Sequence, residues 1–318
     1  MSESTLTRRD RYRGALIGLA VGDALGTTLE FTRPGSFQPI DDMVGGGPFR
    51  LAPGQWTDDT AMALCLAESL IERAGFDPED QMRRYLRWRD EGYWSSTGRC
   101  FDIGNTIAAA LARFESGADP YAGSTDPHSA GNGSLMRLAP VPLAFATDPV
   151  GAVRCAGGMS RTTHGASEAV DACRYMAGLM VGALHGLAKD ELLASRFAPE
   201  GVDWVAHPLG HQIDLIARGR FKDRRPPAIR GTGYVVQSLE AALWAFWTTD
   251  NFRDGVLKAV NLGEDADTTG AIHGQLAGAY YGLDAIPESW RARIARADEI
   301  LDLADRLLDL SERGSAGL

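Results

Sequence analysis

A chain of 318 residues with 44% apolar and 23% charged residues has the composition of a globular protein large enough to bury a substantial core, which excludes a disordered or collagen-like chain. Its 32 Lys and Arg against 42 Asp and Glu give a formal charge of -10, a field that repels bare nucleic acid and anionic membrane, so neither is expected as a partner. Four scattered cysteines without a C-x-x-C pair read as reduced thiols, and no run of roughly 18 apolar residues exists, so a cytoplasmic protein without a membrane-spanning helix is expected.

Apolar positions recur at helical spacing over 10–25, 58–73, 79–88, 103–116, 149–157, 165–186, 208–218, 234–249, 252–261, 268–281 and 288–309. Alternating, strand-like runs are nearly absent. Ala, Leu and Met fill these segments while Gly and Pro gather between them, which predicts an all-α fold. Arg8 and Arg9 ahead of an apolar run mimic a secretion signal, but Asp23 interrupts that run and the segment reads as an ordinary first helix. Small residues on packing faces, as at Gly178, Gly182 and Gly186 and again at Gly274, Ala277 and Gly278, permit close backbone approach and point to a compact bundle. Neither a repeat nor a linker divides the chain, so residues 1–318 are expected to form one domain, and a monomer.

Four irregular stretches, 32–57, 117–135, 159–165 and 219–233, each end at the start of a helix, where free N–H groups and the dipole favour anions. Gly22-Asp23-Ala24-Leu25-Gly26 with Glu30 brings two carboxylates to a turn that can face a polar site. Trp56-Thr57-Asp58-Asp59-Thr60 opens a helix with Thr57 at the N-cap, and helix capping alone would explain it. Asp102-Ile103-Gly104-Asn105-Thr106 sets a carboxylate at a further helix entrance, as a general acid or base or as a plain cap. Gly131 to Arg137 is a small-residue turn able to present amides and the Ser134 hydroxyl to a phosphate, without the G-K-[ST] of a P-loop.

Ser160 to Gly165 ends another loop with His164, either structural or a donor to a phosphate or sugar. His207 and His211 lack the glutamate of a zinc hydrolase motif. The basic run Arg218, Arg220, Lys222, Arg224, Arg225 and Arg230 reads as a solvated face or a contact for a phosphate or a protein. Tyr234 opens an apolar helix and can stack on a base. Gly263 to Gly270 clusters carboxylates and hydroxyls at one more helix start, where a simple cap would need only one. Two such Asp- and Thr-rich starts supply the oxygen ligands that hard divalent cations take.

In order, G-D-A-L-G, W-T-D-D-T, F-D-I-G-N-T, G-N-G-S-L-M-R, T-T-H-G, G-Y-V-V-Q-S-L-E-A-A-L-W and G-E-D-A-D-T-T-G-A-I resemble the ADP-ribosylglycohydrolase family over residues 14 to about 283, and within it the dinitrogenase reductase-activating glycohydrolase branch. The resemblance implies an all-helical enzyme with two Mg2+ or Mn2+ ions, for which Thr57, Asp58, Asp59, Asp265, Asp267 and Thr268 match the metal ligands. It also matches Glu30 to an acid near the metals and ribose, and Asp102 to a proton-transfer residue. Gly133 and Ser134 match a diphosphate-binding turn, His164 a ligand contact and Tyr234 an aromatic near adenine. His273 departs from the pattern, standing where a small residue is expected, and would alter substrate entry if it faced the site.

The implied reaction cleaves ADP-ribose from an acceptor, foremost arginine on a protein. Serine-linked, O-acetyl and nucleobase-linked or small-molecule ADP-ribose conjugates are the alternatives, as is an inactive ADP-ribose-binding protein. An all-α prenyl transferase or diphosphate lyase also uses Asp-rich helices, but residues 58–62 do not form D-D-x-x-D.

Overall fold

A computed structural model describes residues 6–117 and 119–315. The described residues form α1 (Arg8–Gly26), α2 (Asp58–Glu72), α3 (Pro78–Glu91), α4 (Asn105–Glu115), α5 (Pro140–Ala144), α6 (Pro149–Arg161), α7 (Ser167–Leu184), α8 (Lys189–Leu192), α9 (His211–Ala217), α10 (Val235–Trp247), α11 (Phe252–Val260), α12 (Ala266–Tyr281), α13 (Glu288–Arg291) and α14 (Ala297–Ser315). Among them β-structure is limited to isolated bridges, so the all-α expectation holds. Local chemistry explains several starts. Thr7 and Asp10 form a capping box for α1, while Asp77 and Asp148 cap α3 and α6 ahead of a proline. Among the described residues no helix is long and apolar enough to cross a membrane.

The central packing is the antiparallel pair of α1 and α12. Gly14, Gly18 and Gly22 each recur after four residues, so they form one ridge along α1, and they face Gly278, Gly274 and Gly270 in turn. A methyl group on Gly18 would lie 2.3 Å from the carbonyl oxygen of Gly274, and one on Gly274 would lie 2.0 Å from that of Gly18. Gly26 continues the seam onto Ala266 and Asp267. Backbone therefore touches backbone, and the C-terminal end of α1 is held directly against the N-terminal end of α12.

Two departures from the predicted elements have local causes. The apolar period over 288–309 is interrupted between α13 and α14, where Arg296 takes a left-handed φ of 57°. Residues 292–296 dock on the loop before α2, with the Ala295 amide donating to the Gly54 carbonyl at 2.9 Å and Trp56 Nε1 to the Ala295 carbonyl at 3.1 Å. Buried Ile294 and Ile300 keep the period running through the break and so hide it. The helix α5 is absent from the periodicity because Pro140 and Pro142 stand within its five residues. A fifth irregular stretch, 193–210, follows α8 and was not among those the periodicity picked out.

The basic run is partly anchored and partly a solvated face, with Arg218, Arg225 and Arg230 exposed. Arg220 and Arg224 both pair with Glu240, at 2.7 and 2.8 Å, Arg218 pairs with Asp214 at 2.8 Å and Lys222 donates to the Leu193 carbonyl at 2.6 Å. These contacts bind the loop before α10 to the body of the bundle.

If the seam sets the fold, Gly18→Ala should destabilise by about 3 kcal/mol, at the upper end of overpacking costs, because backbone on both sides must separate. Urea unfolding measures it. A change within about 0.5 kcal/mol, the usual range for a surface substitution, would contradict the packing described.

Candidate active site

The seam delivers acidic residues from both ends of the chain to one place. Beyond α1, Phe31 donates its amide to the Glu264 carbonyl at 2.6 Å and Glu264 returns a bond to the Thr32 carbonyl at 2.8 Å. This clasp sets Glu30 beside the start of α12. Asp23 braces the third element: its Oδ1 accepts from the Thr57 amide at 2.9 Å and its Oδ2 from the Thr60 amide and hydroxyl at 3.0 and 2.6 Å. Thr57 occupies the N-cap of α2, but its hydroxyl lies between Asp23 and Asp59 and caps nothing. The Thr57 and Thr60 amides at the start of α2 are satisfied by Asp23 of α1 instead.

A cleft of about 270 Å³ opens over these elements. Glu30, Asp58, Asp102, Asp265, Asp267 and Thr268 line one end, and no Lys or Arg stands among its described lining residues. Oxygens of Glu30, Asp102 and Asp267 all come within 4.8 Å of one another. Asp59 and Thr57 are buried behind this wall, with Asp59 Oδ2 3.5 Å from the Thr268 hydroxyl. Asn132 donates to Asp265 Oδ2 at 2.8 Å. Asp102 holds a left-handed φ of 60° and is not the cap of α4, which is Gly104. That strained conformation turns it onto the cleft wall.

The electrostatics of the cluster are unfavourable by themselves. Burial, and then repulsion from Asp102 and Asp265, pushes the Glu30 carboxyl up to about 9. Burial followed by Asp23 and Asp265 raises Asp102 to about 8. Asp58, Asp59 and Asp267 are held well above the usual carboxylate range, burial first and neighbouring carboxylates second. Asp23 rises only to about 6, because its bonds from Thr57 and Thr60 offset its burial. Glu30 Oε2 and Asp59 Oδ1 are buried with no hydrogen-bond partner among the described residues. Hard oxygen donors, orphaned lone pairs and unrelieved negative charge are what a divalent cation satisfies, so the cluster could hold a metal.

The turn that adjoins this cluster through the Asn132–Asp265 bond has the other polarity. Gly131, Asn132 and Gly133 form a turn tied down by the Asn132 amide donating to the Gly233 carbonyl at 3.1 Å. Among the described residues no acceptor pairs with the Gly133 and Ser134 amides. The Ser134 hydroxyl turns away to Ser160 Oγ at 2.8 Å, which leaves its amide as the group without an acceptor. Beneath the turn lies the His164 ring, close enough that a methyl on Gly133 would be 2.8 Å from it. Arg137, fully buried, donates to the Gly133 carbonyl and to the Thr163 hydroxyl, each at 2.6 Å. Thr163 Oγ1 lies 2.9 Å from His164 Nδ1, so the Arg137–Thr163 pair fixes the ring's orientation. Burial and the Arg137 charge lower His164 to about 3, so the ring stays neutral.

Thr106, Gly131 and Gly233 also line an adjoining chamber of about 620 Å³ that includes Tyr234 and Glu168. Tyr234 donates to Glu168 at 2.6 Å there and does not reach the acidic end. His273 faces away from the cleft: Nδ1 lies 3.2 Å from the Ala242 carbonyl and the ring packs near Phe246. Sequence reasoning gave Arg137, Asn132 and Thr163 no role. The available signal was an arginine inside the apolar run Leu135 to Ala144, which a buried cation can occupy only with dedicated acceptors.

The profile of the ADP-ribosylglycohydrolase family matches residues 4–316. An ADP-ribosylarginine hydrolase Tri1 of Serratia proteamaculans is 42% identical over 94% of this chain and 79% of its own, and one of Pseudomonas putida is 44% identical over 94% and 78%. An ADP-ribosyl-(dinitrogen reductase) glycohydrolase of Rhodospirillum rubrum is 34% identical over 90% of each. A solved structure, an ADP-ribosylglycohydrolase-related protein complex, superposes with a TM-score of 0.83 at 45% identity, covering 96% of this chain and 99% of that one.

The cluster fixes the sign of a pH dependence. Between the ordinary glutamate value of 4.5 and about 9, the folded Glu30 binds more protons than the unfolded chain, so unfolding free energy falls as pH rises. Thermal melts in chelator should show a Tm that declines across this window, and Mn2+ or Mg2+ should flatten the decline. A Tm that climbs with pH, or a slope indifferent to cations, would overturn the electrostatic account.

Proposed function

Because the chain belongs to the ADP-ribosylglycohydrolase family, and because its acidic cluster and its anion-ready turn line one cleft, we propose that it hydrolyses the bond between ADP-ribose and arginine on a protein. The two relatives named ADP-ribosylarginine hydrolases, similar along 94% of this chain, support arginine over other acceptors. The single observation that carries the reading is the juxtaposition of Glu30, Asp58, Asp102 and Asp267 with the Gly131 to Gly133 turn. A molecule that is anionic in its middle and has a sugar at the reacting end fits that polarity.

The reaction must break the bond from ribose C1 to a guanidino nitrogen with water as nucleophile. Positive charge develops on the sugar carbon, and the leaving nitrogen requires a proton. Asp58, Asp59, Asp265, Asp267, Thr57 and Thr268 are the residues we assign to holding two Mg2+ or Mn2+ ions. Bound there, the cations would supply a polarised water and a grip on the ribose hydroxyls. The Gly133 and Ser134 amides and the His164 ring bind the diphosphate, all neutral groups preorganised by Arg137. Tyr234 receives the adenine end. Asp102 or Glu30 moves the proton: each is a carboxyl at the cleft wall whose oxygens come within 4.8 Å of those of Asp267.

Purified protein offered arginine-, serine- and O-acetyl-linked ADP-ribose should release ADP-ribose from the arginine conjugate, and chelator should stop it. Release only from another conjugate would displace arginine as the acceptor. Asp58→Asn and Asp267→Asn should each cut turnover by about 100-fold or more while the circular dichroism spectrum is retained. Both substitutions relieve repulsion, so the metal-free variants should melt at or above the parent. Turnover near the parent level would remove these residues from the site. Asp102→Asn and Glu30→Gln separate the proton-transfer candidates, and the residue responsible should lose roughly 100- to 10,000-fold in kcat.

A further inference from the structure

Phe31 is an unusual aromatic residue. The residue is 71% exposed, and its backbone holds a φ of 59°, a region that a bulky residue rarely occupies. The strain is maintained by the clasp with Glu264 and Thr32, whose two backbone bonds leave the loop after α1 little freedom to relax. The enforced conformation holds the exposed ring at the cleft it lines, where a bound ligand can reach it.

Its place in the cleft indicates which part of a ligand that is. The chamber of Tyr234 adjoins the cleft through Thr106, Gly131 and Gly233, whereas Phe31 lines the cleft at the acidic cluster next to Glu30. A ligand with its nucleoside end at Tyr234 and its diphosphate over the Gly131 to Gly133 turn brings its distal ribose to the carboxylates. The acceptor then emerges at Phe31. Around that ring the charged groups of the cleft are carboxylates, and the negative face of a phenyl adds to the same field. A planar cation is the acceptor such a surface suits.

We propose that Phe31 is a specificity-determining residue on which the guanidino group of the ADP-ribosylated arginine stacks, a role that rests on the arginine-hydrolase reading above. A neutral acceptor such as a serine side chain gains nothing from this ring. Phe31 transfers no proton and touches no part of the ADP-ribose itself, so its removal weakens the acceptor contact alone.

The test uses the full chain with ADP-ribosylarginine as substrate and free ADP-ribose as a reference ligand. Phe31→Ala and Phe31→Leu should each raise KM by about three- to tenfold with kcat within about twofold, in line with the strength of a cation–aromatic contact, and Phe31→Tyr should restore KM. The affinity for ADP-ribose, measured by calorimetry, should stay unchanged in all three. Full recovery by Phe31→Leu would mean simple apolar cover and would overturn the stacking role. Loss of ADP-ribose affinity in step with KM would equally overturn it, placing the ring on the nucleotide or in the fold. Absence of ADP-ribosylarginine turnover in the parent protein, with ADP-ribose still bound, refutes the arginine reading itself, and this proposal falls with it.

Discussion

Everything at the candidate site depends on the bare-backbone contact between α1 and α12. Glycines at every fourth position of both helices remove the side chains that would otherwise hold two helix axes apart. The closeness does more than compact the bundle. It sets Asp23 and Glu30, at and just beyond one helix end, against Asp265, Asp267 and Thr268 at the start of the other. Asp23 then carries the same rigidity into α2 by accepting the amides of Thr57 and Thr60. Three elements from remote parts of the chain thereby become one rigid frame.

That frame holds carboxylates where they repel one another. A core built only for stability would not gather Glu30, Asp58, Asp59, Asp102, Asp265 and Asp267 with two orphaned oxygens and no cationic side chain on the cleft wall. The chain's own buried cation, Arg137, is directed instead at the adjoining turn, where it fixes Gly133, Thr163 and through them His164. The two halves of the cleft thus differ in kind: one lacks positive charge, and the other offers neutral N–H donors. This division suits a ligand with an anionic centre and a hydroxyl-bearing reactive end.

Much of this was legible in the sequence, and the remainder has identifiable causes. Helical periodicity marked the long helices, since each carries an apolar face, but it passed through the break at residues 292–296 because buried Ile294 and Ile300 stay in phase across it. The Asp- and Thr-rich helix starts were visible as clusters whose meeting could be expected only through the family resemblance. The small residues Gly274 and Gly278 suggested a close contact, yet their partners Gly18 and Gly14 lie at the far end of the chain. Asp23 was visible as an acid near a turn, and only its four donors show it to be a brace. Arg137 and Asn132 were overlooked because each looks like an ordinary polar residue beside a glycine turn until its acceptors are known.

The most direct test of the central claim is the anomalous scattering of Mn2+ in crystals of this protein. Two Mn2+ peaks are expected within coordination distance of the Asp58, Asp59 and Asp267 carboxylates, lost together in Asp267→Asn. An empty cluster at millimolar Mn2+, with ADP-ribosylarginine turnover persisting in chelator, would contradict that claim.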